Sequence, residues 1–121
     1  MYLIVGIILL LAGLVALWAH AQCSAFSGVA ACSPSLWYPF WNAQQIAASV
    51  PSAAMVYLSL GRREEKTRHP VLSTVGDALR TQHEALKARS IPTTLVWHDG
   101  GHFTQPTQRM TEGFMYLLSH L

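Results

Sequence analysis

The uneven distribution of charge constrains the fold of this chain more than any other feature. No Asp, Glu, Lys or Arg occurs before Arg62, so the 8 basic and 6 acidic residues all lie in the second half. An uncharged half of this size must either cross a membrane or pack inside a larger fold, because it would otherwise expose a large apolar surface to water. With 121 residues, the chain can form one modest core, and we expect one domain or part of one.

The composition and the cysteine count narrow the class of protein. Half of the residues are apolar and the net charge is only +2, which is unlike a disordered chain or a nucleic-acid-binding protein. Cys23 and Cys32 have no metal-ligand spacing and are too few for a disulfide scaffold. We therefore expect buried thiols in a reducing compartment such as the cytoplasm. The alternative is a secreted chain with one disulfide bond between the two cysteines.

The N-terminal segment Met1–Ala19 has two interpretations. It is apolar throughout and close to the length of a transmembrane helix, but no Lys or Arg flanks it to set its orientation. Its early part, Tyr2–Ile8, is also β-branched enough to form a buried parallel strand, with a buried helix over Leu11–Ala21. Periodicity does not separate these interpretations, so a membrane location remains the alternative to the cytoplasm.

The rest of the chain alternates between strand patterns and helix patterns. Apolar or β-branched runs predict strands at Ala25–Cys32, Ala53–Leu60 and Thr93–Trp97. Helices are predicted over about 42–49, 70–89 and 107–121. The last helix is expected to bury one face, formed by Met110, Phe114, Leu117, Leu118 and Leu121. This order predicts an α/β fold with a short parallel sheet and flanking helices, which we interpret over 1–121 as part of a larger domain.

Two loops with catalytic residue types follow two successive predicted strands. One carries Glu64 and Glu65, and the other carries His102 after the tight turn of Gly100-Gly101. Chemistry collects at the carboxyl edge of parallel sheets, and a carboxylate that orients an imidazole is part of a hydrolytic triad. The order of the acid before the histidine is that of an α/β-hydrolase.

The same loops also have simpler interpretations. A charged run is commonly a solvated surface loop, and a loop histidine can make only local hydrogen bonds. His98 and His102 are four residues apart, a metal-ligand spacing on a helix, but the glycine pair places them on a loop. We therefore expect no metal site and no cofactor.

Three motifs follow one another along the chain: Phe26–Val29 with Ser33–Trp37, Val56–Gly61 with Glu64–Arg68, and Trp97 with Gly101–Phe103. In this order they resemble the esterases related to enterochelin esterase within the α/β-hydrolase superfamily. The resemblance extends from about Leu11 to the C-terminus and predicts the C-terminal part of an α/β-hydrolase sandwich.

The resemblance implies a serine hydrolase that cleaves a small ester. His102 would be the general base, with Glu64 as the first choice for its orienting acid and Glu65 as the second. Ser35 and Trp37 would border the substrate pocket, although plain core packing also explains this aromatic loop.

The sequence departs from this family at the nucleophile. The segment Leu11–Leu14 resembles the end of the nucleophile elbow, and in that register Leu10 stands where the serine should be. No Ser, Thr or Cys lies between Met1 and Gln22, and leucine cannot attack a carbonyl. Arg62 also stands where relatives often have an acidic residue. We expect a truncated esterase-like hydrolase that is inactive alone, with a membrane-anchored or partner-binding protein without enzymatic activity as the alternative.

Overall fold

A parallel β-sheet of four strands forms the centre of the described chain. The structure is a computed structural model that describes residues 4–8, 15, 17–19, 22, 26–37, 41 and 55–120. The strands are Ile4–Ile8 (β1), Gly28–Cys32 (β2), Met55–Gly61 (β3) and Thr93–His98 (β4). They pair in the order β1-β2-β3-β4, and all three pairings are parallel. The predicted short parallel sheet is therefore confirmed.

Helices cover both faces of this sheet. Two 3₁₀ turns, Glu64–Lys66 and Leu72–Thr74, precede the helix Val75–Ala88 (α1), and Pro106–His120 (α2) follows β4. Successive strand residues point to opposite faces. Alternate positions of β2 and β3 accordingly pack into two separate clusters, one with the apolar face of α1 and one with Leu117 of α2. This layering places the ends of β3 and β4 between two rigid helices.

The N-terminal segment contains a strand and not one continuous helix. Ile4–Ile8 is extended and pairs with Gly28–Cys32, whereas residues 15, 17–19 and 22 are helical. The interpretation of Met1–Ala19 as one membrane helix is therefore not favoured. Within the described residues, no helix has the length and apolar character needed to cross a membrane. Leu10, Cys23 and the helix predicted over 42–49 lie outside the described residues.

The buried face of α2 differs from the predicted apolar face. Its buried residues are Arg109, Gly113 and Leu117, while Leu118 is 59% exposed. A Cβ atom on Gly113 would lie only 3.0 Å from the Cβ of Ala30. The helix therefore packs on the sheet through its smallest residue, and this close contact turns Leu118 outward. The predicted face was wrong at Leu118 and correct at Leu117.

Candidate active site

The ends of β3 and β4 bring the two predicted loops together. Gly61 and His98 are paired at the last position of this ladder. Beyond it, the backbone N–H of Arg63 donates to the carbonyl of Gly100 at 3.0 Å. A Cβ atom on Gly61 would lie 2.5 Å from that same carbonyl oxygen. A glycine at the end of β3 is therefore what lets the acid loop and the histidine loop meet.

Glu64 and His102 form a pair at this edge. The Glu64 Oε2 lies 3.2 Å from the His102 Nδ1, and the two side chains are only 9% and 14% exposed. The other carboxylate oxygen, Oε1, accepts hydrogen bonds from the Ser33 hydroxyl at 2.6 Å and from the Gly61 N–H at 2.9 Å. These two hydrogen bonds fix the orientation of the carboxylate and therefore the direction in which Oε2 points. When His102 donates its Nδ1–H to Oε2, its Nε2 is left as a proton acceptor.

Glu65 lies in a different environment, away from His102. Its two oxygens accept hydrogen bonds from the two terminal nitrogens of Arg80, each at 3.0 Å. The Arg80 guanidinium also stacks over the ring of Trp97, 4.6 Å from the ring centre. Of the two acids predicted from the sequence, the structure brings Glu64 to His102 and directs Glu65 towards α1.

The predicted pocket residues lie beside the Glu64–His102 pair. Ser35 and Trp37 line a cavity of about 200 Å³ together with Glu64 and His102. The Ser35 hydroxyl is buried and has no hydrogen-bond partner among the described residues. The aromatic loop after β2 therefore forms one wall of a cavity that opens at the imidazole.

Arg109 and Ser33 are two site residues that sequence reasoning missed. The Arg109 side chain is 3% exposed, although a charged residue on an amphipathic helix normally faces water. Ser33 has a φ of 51°, which turns the chain at the end of β2 and brings its hydroxyl to Glu64. Of these two residues, only Ser33 had a weak signal in the sequence: the dipeptide Ser33-Pro34 after β2 favours a turn.

His98 lies next to this site but does not belong to the pair. Its Nε2 is 3.5 Å from the Glu112 Oε2. Desolvation lowers the pKa of His98, the charge of Arg109 adds to this effect, and Glu112 opposes it. In the part of the chain that the structure describes, no three His, Cys, Asp or Glu side chains are grouped as metal ligands.

Two solved structures share this fold. One is an IroE-like serine hydrolase from Shewanella oneidensis, with a TM-score of 0.71 and 16% identity over 89% of this chain. The other is the siderophore hydrolase EstA from Aspergillus nidulans, with a TM-score of 0.65 and 20% identity over 90% of this chain. This chain spans 37% and 45% of their respective lengths.

The sequence comparisons give no further assignment, because no protein-family model and no curated protein sequence matches this chain. The structural likeness shows the fold alone, which matches the C-terminal part of an α/β-hydrolase-like fold. It agrees with the fold that the sequence resemblance implied.

Proposed function

We propose that this chain carries the acid and base of an ester-hydrolysing site, with Glu64 orienting His102 as the general base. The observation that carries the proposal is the 3.2 Å contact between the Glu64 Oε2 and the His102 Nδ1 at the carboxyl edge of the sheet. A general base needs its ring fixed and, in the neutral imidazole, its proton on the other nitrogen; a buried carboxylate that accepts from Nδ1–H provides both and stabilises the imidazolium that forms when Nε2 takes a proton. Both structural neighbours are named as hydrolases.

The proposed substrate is a small ester that enters the cavity between the aromatic loop and His102. Its volume of about 200 Å³ lies below the range of about 300–1,000 Å³ that is usual for drug-sized ligands. Ser35 and Trp37 would border the substrate there. A buried hydroxyl without a partner, such as that of Ser35, can hydrogen-bond a carbonyl or an ester oxygen.

We propose that the chain alone does not hydrolyse esters, because the elbow position implied by the sequence resemblance holds no nucleophile. In the register of the resemblance, Leu10 occupies the serine position of the elbow, and no Ser, Thr or Cys lies between Met1 and Gln22. A general base without a hydroxyl or thiol to deprotonate cannot form an acyl-enzyme.

Covalent labelling tests both parts of this proposal. A fluorophosphonate phosphonylates an activated serine once and needs no second turnover step, so the mass of the intact chain reports the reaction. We expect no labelling of the wild type and labelling of Leu10→Ser. Removal of the base in Leu10→Ser/His102→Ala should slow that labelling by about 100-fold or more.

The control variants separate the two parts. Leu10→Ala should remain unlabelled, and adding Glu65→Gln to Leu10→Ser should leave the labelling rate unchanged. Labelling of the wild type that disappears in His102→Ala would reveal another nucleophile and contradict the missing-serine proposal. Equal labelling of Leu10→Ser with and without His102 would contradict the role of His102 as the base.

A further inference from the structure

We infer that Arg109 is a positioning residue that holds the Glu64 carboxylate and the His102 loop in one arrangement. The inference rests on the proposed function of the Glu64–His102 pair and adds a third residue to it. Arg109 lies in the second turn of α2, and its side chain is almost fully buried, with 3% exposed. A buried guanidinium requires a charged partner and several acceptors, so its surroundings show what it orders.

On one side, Arg109 binds the acid. Its Nη1 lies 3.3 Å from the Glu64 Oε1 and 3.5 Å from the Ser33 hydroxyl oxygen. Oε1 therefore accepts from Ser33, Gly61 and Arg109, whereas Oε2 contacts only His102 among the described residues. Three donors on one oxygen fix the plane of the carboxylate, so the second oxygen is directed at the imidazole.

On the other side, Arg109 binds the loop that carries the histidine. Its Nη2 donates to the carbonyl of Gly101 at 2.9 Å and to the carbonyl of Asp99 at 3.3 Å. Gly101 directly precedes His102 in the sequence. The loop is a tight turn in which Gly100 has a φ of 96°. Two hydrogen bonds to its carbonyls therefore fix the backbone from which the imidazole projects.

The geometry requires an arginine and not merely a positive charge. A guanidinium presents donors in a planar fork, so one nitrogen can bind the acid while the other binds the loop. The ammonium of a lysine carries its three donors on a single nitrogen, so it cannot occupy both the position at the acid and the position at the loop. Arg109→Lys should therefore keep the buried charge but release either Glu64 or the loop carbonyls.

The tautomer of His102 is a readout that a purely structural role of Arg109 would not change. We would record ¹⁵N NMR spectra of the labelled full chain at about pH 9, where a free imidazole is neutral. The signals of His102 would be assigned by their loss in His102→Gln. The wild type should show mainly the Nδ1–H form, because Glu64 accepts that proton.

The expected effect is a change in the ratio of the two tautomers. In Arg109→Lys, the ratio of Nδ1–H to Nε2–H should fall roughly tenfold, the effect of one hydrogen bond to a charged group. Arg80→Lys is the matched control, since Arg80 also gives both terminal nitrogens to a glutamate, Glu65. It should leave the tautomer of His102 unchanged.

The outcomes distinguish this inference from the proposed function. A folded Arg109→Lys with the wild-type tautomer ratio would overturn the positioning role while leaving the Glu64–His102 pair intact. A wild type that is mainly Nε2–H would instead contradict the proposed function itself. If Arg109→Lys does not fold, the wild type still provides a test through the slow hydrogen exchange expected of the Arg109 Nη protons. Nη protons of Arg109 that exchange as fast as those of the surface residue Arg62 would overturn the inference.

Discussion

At the scale of single residues, two adjacent glutamates have very different electrostatic environments. The ion pair of Glu64 with Arg109 is buried, with side-chain exposures of 9% and 3%. The pair of Glu65 with Arg80 is more open, with exposures of 24% and 47%. A buried charge that loses its partner is costly because water cannot replace the lost interaction, whereas an exposed charge is readily solvated. The two pairs therefore contribute differently to stability.

We predict that Glu64→Gln and Glu65→Gln differ strongly in their effect on the free energy of unfolding. Glu64→Gln leaves the Arg109 guanidinium buried without a counter-charge and should cost about 3 kcal/mol. Glu65→Gln leaves Arg80 paired with Asp77, at 2.9 Å, and open to water, and should cost less than about 1 kcal/mol. Urea unfolding followed by circular dichroism measures both values. Equal losses of unfolding free energy in the two variants would show that the buried ion pair contributes no more to stability than the exposed one.

The sequence resemblance ranked Glu64 before Glu65 as the acid that orients His102, but no periodic pattern separated the two. Glu64 and Glu65 both follow β3, and both were candidates to orient His102. They lie in a 3₁₀ turn, which has about three residues per turn, so neighbouring side chains point roughly 120° apart. One glutamate therefore reaches the histidine loop while the other reaches α1. Which glutamate faces His102 therefore depends on a turn of three residues, and no periodic pattern in the sequence predicts such a turn.

At the scale of the elements, the strand and helix predictions succeeded where packing follows periodicity. The β-branched run Thr93–Trp97 is part of β4. The helix predicted over about 70–89 contains α1, in which Val75, Leu79 and Leu86 are buried at helical spacing. The helix α2 was predicted correctly, but its buried face was wrong at Leu118, because Gly113, and not a large apolar residue, lies nearest the sheet. Arg109 is buried one turn before Gly113 on the same face. A pattern of apolar residues cannot predict a helix face that is formed around a glycine and an ion pair.

We predict that the junction of β3 and β4 tolerates no side chain at Gly61. A Cβ atom there would lie 2.5 Å from the Gly100 carbonyl oxygen and 3.0 Å from the Arg109 Nη2. The backbone cannot yield as a flexible side chain can, so Gly61→Ala should cost about 2 kcal/mol of unfolding free energy. Chemical unfolding in urea gives this value.

Gly101 provides the matched control for this substitution. A Cβ atom on Gly101 would meet no atom within 4 Å, so Gly101→Ala should change stability by less than about 0.5 kcal/mol. If the two alanine variants are equally stable, the close approach of the loops at Gly61 is not a structural requirement.

At the scale of the whole molecule, the uneven distribution of charge along the sequence corresponds to which strands of the sheet are buried. Every residue of β2 and β3 is buried, whereas every residue of β4 is partly exposed. Both buried strands lie mostly or entirely in the uncharged half of the sequence. The charged second half supplies β4 at one edge of the described sheet, the helices α1 and α2, and the acid and histidine loops of the candidate site. The expectation that an uncharged half packs inside a fold therefore holds for β2 and β3.

Stability of the whole fold should decrease on mild acidification. Desolvation lowers the pKa of both His83 and His98 in the folded chain, whereas an unfolded histidine titrates near pH 6.5. Below that pH, the unfolded chain binds more protons than the folded chain. The contribution of these neutral histidines is therefore complete above about pH 6.5 and is lost as the pH falls towards the folded pKa values.

The corresponding experiment compares the pH dependence of unfolding in the wild type and in the double variant His83→Gln/His98→Gln. We expect the unfolding free energy of the wild type to fall between about pH 7.5 and pH 5.5, because folding must keep these two rings neutral. Glutamine carries no charge at any of these pH values, so the slope in the double variant should be shallower. His98→Gln alone should give an intermediate slope, because one desolvated ring remains. A double variant with the full slope of the wild type would mean that neither ring is held neutral by the fold.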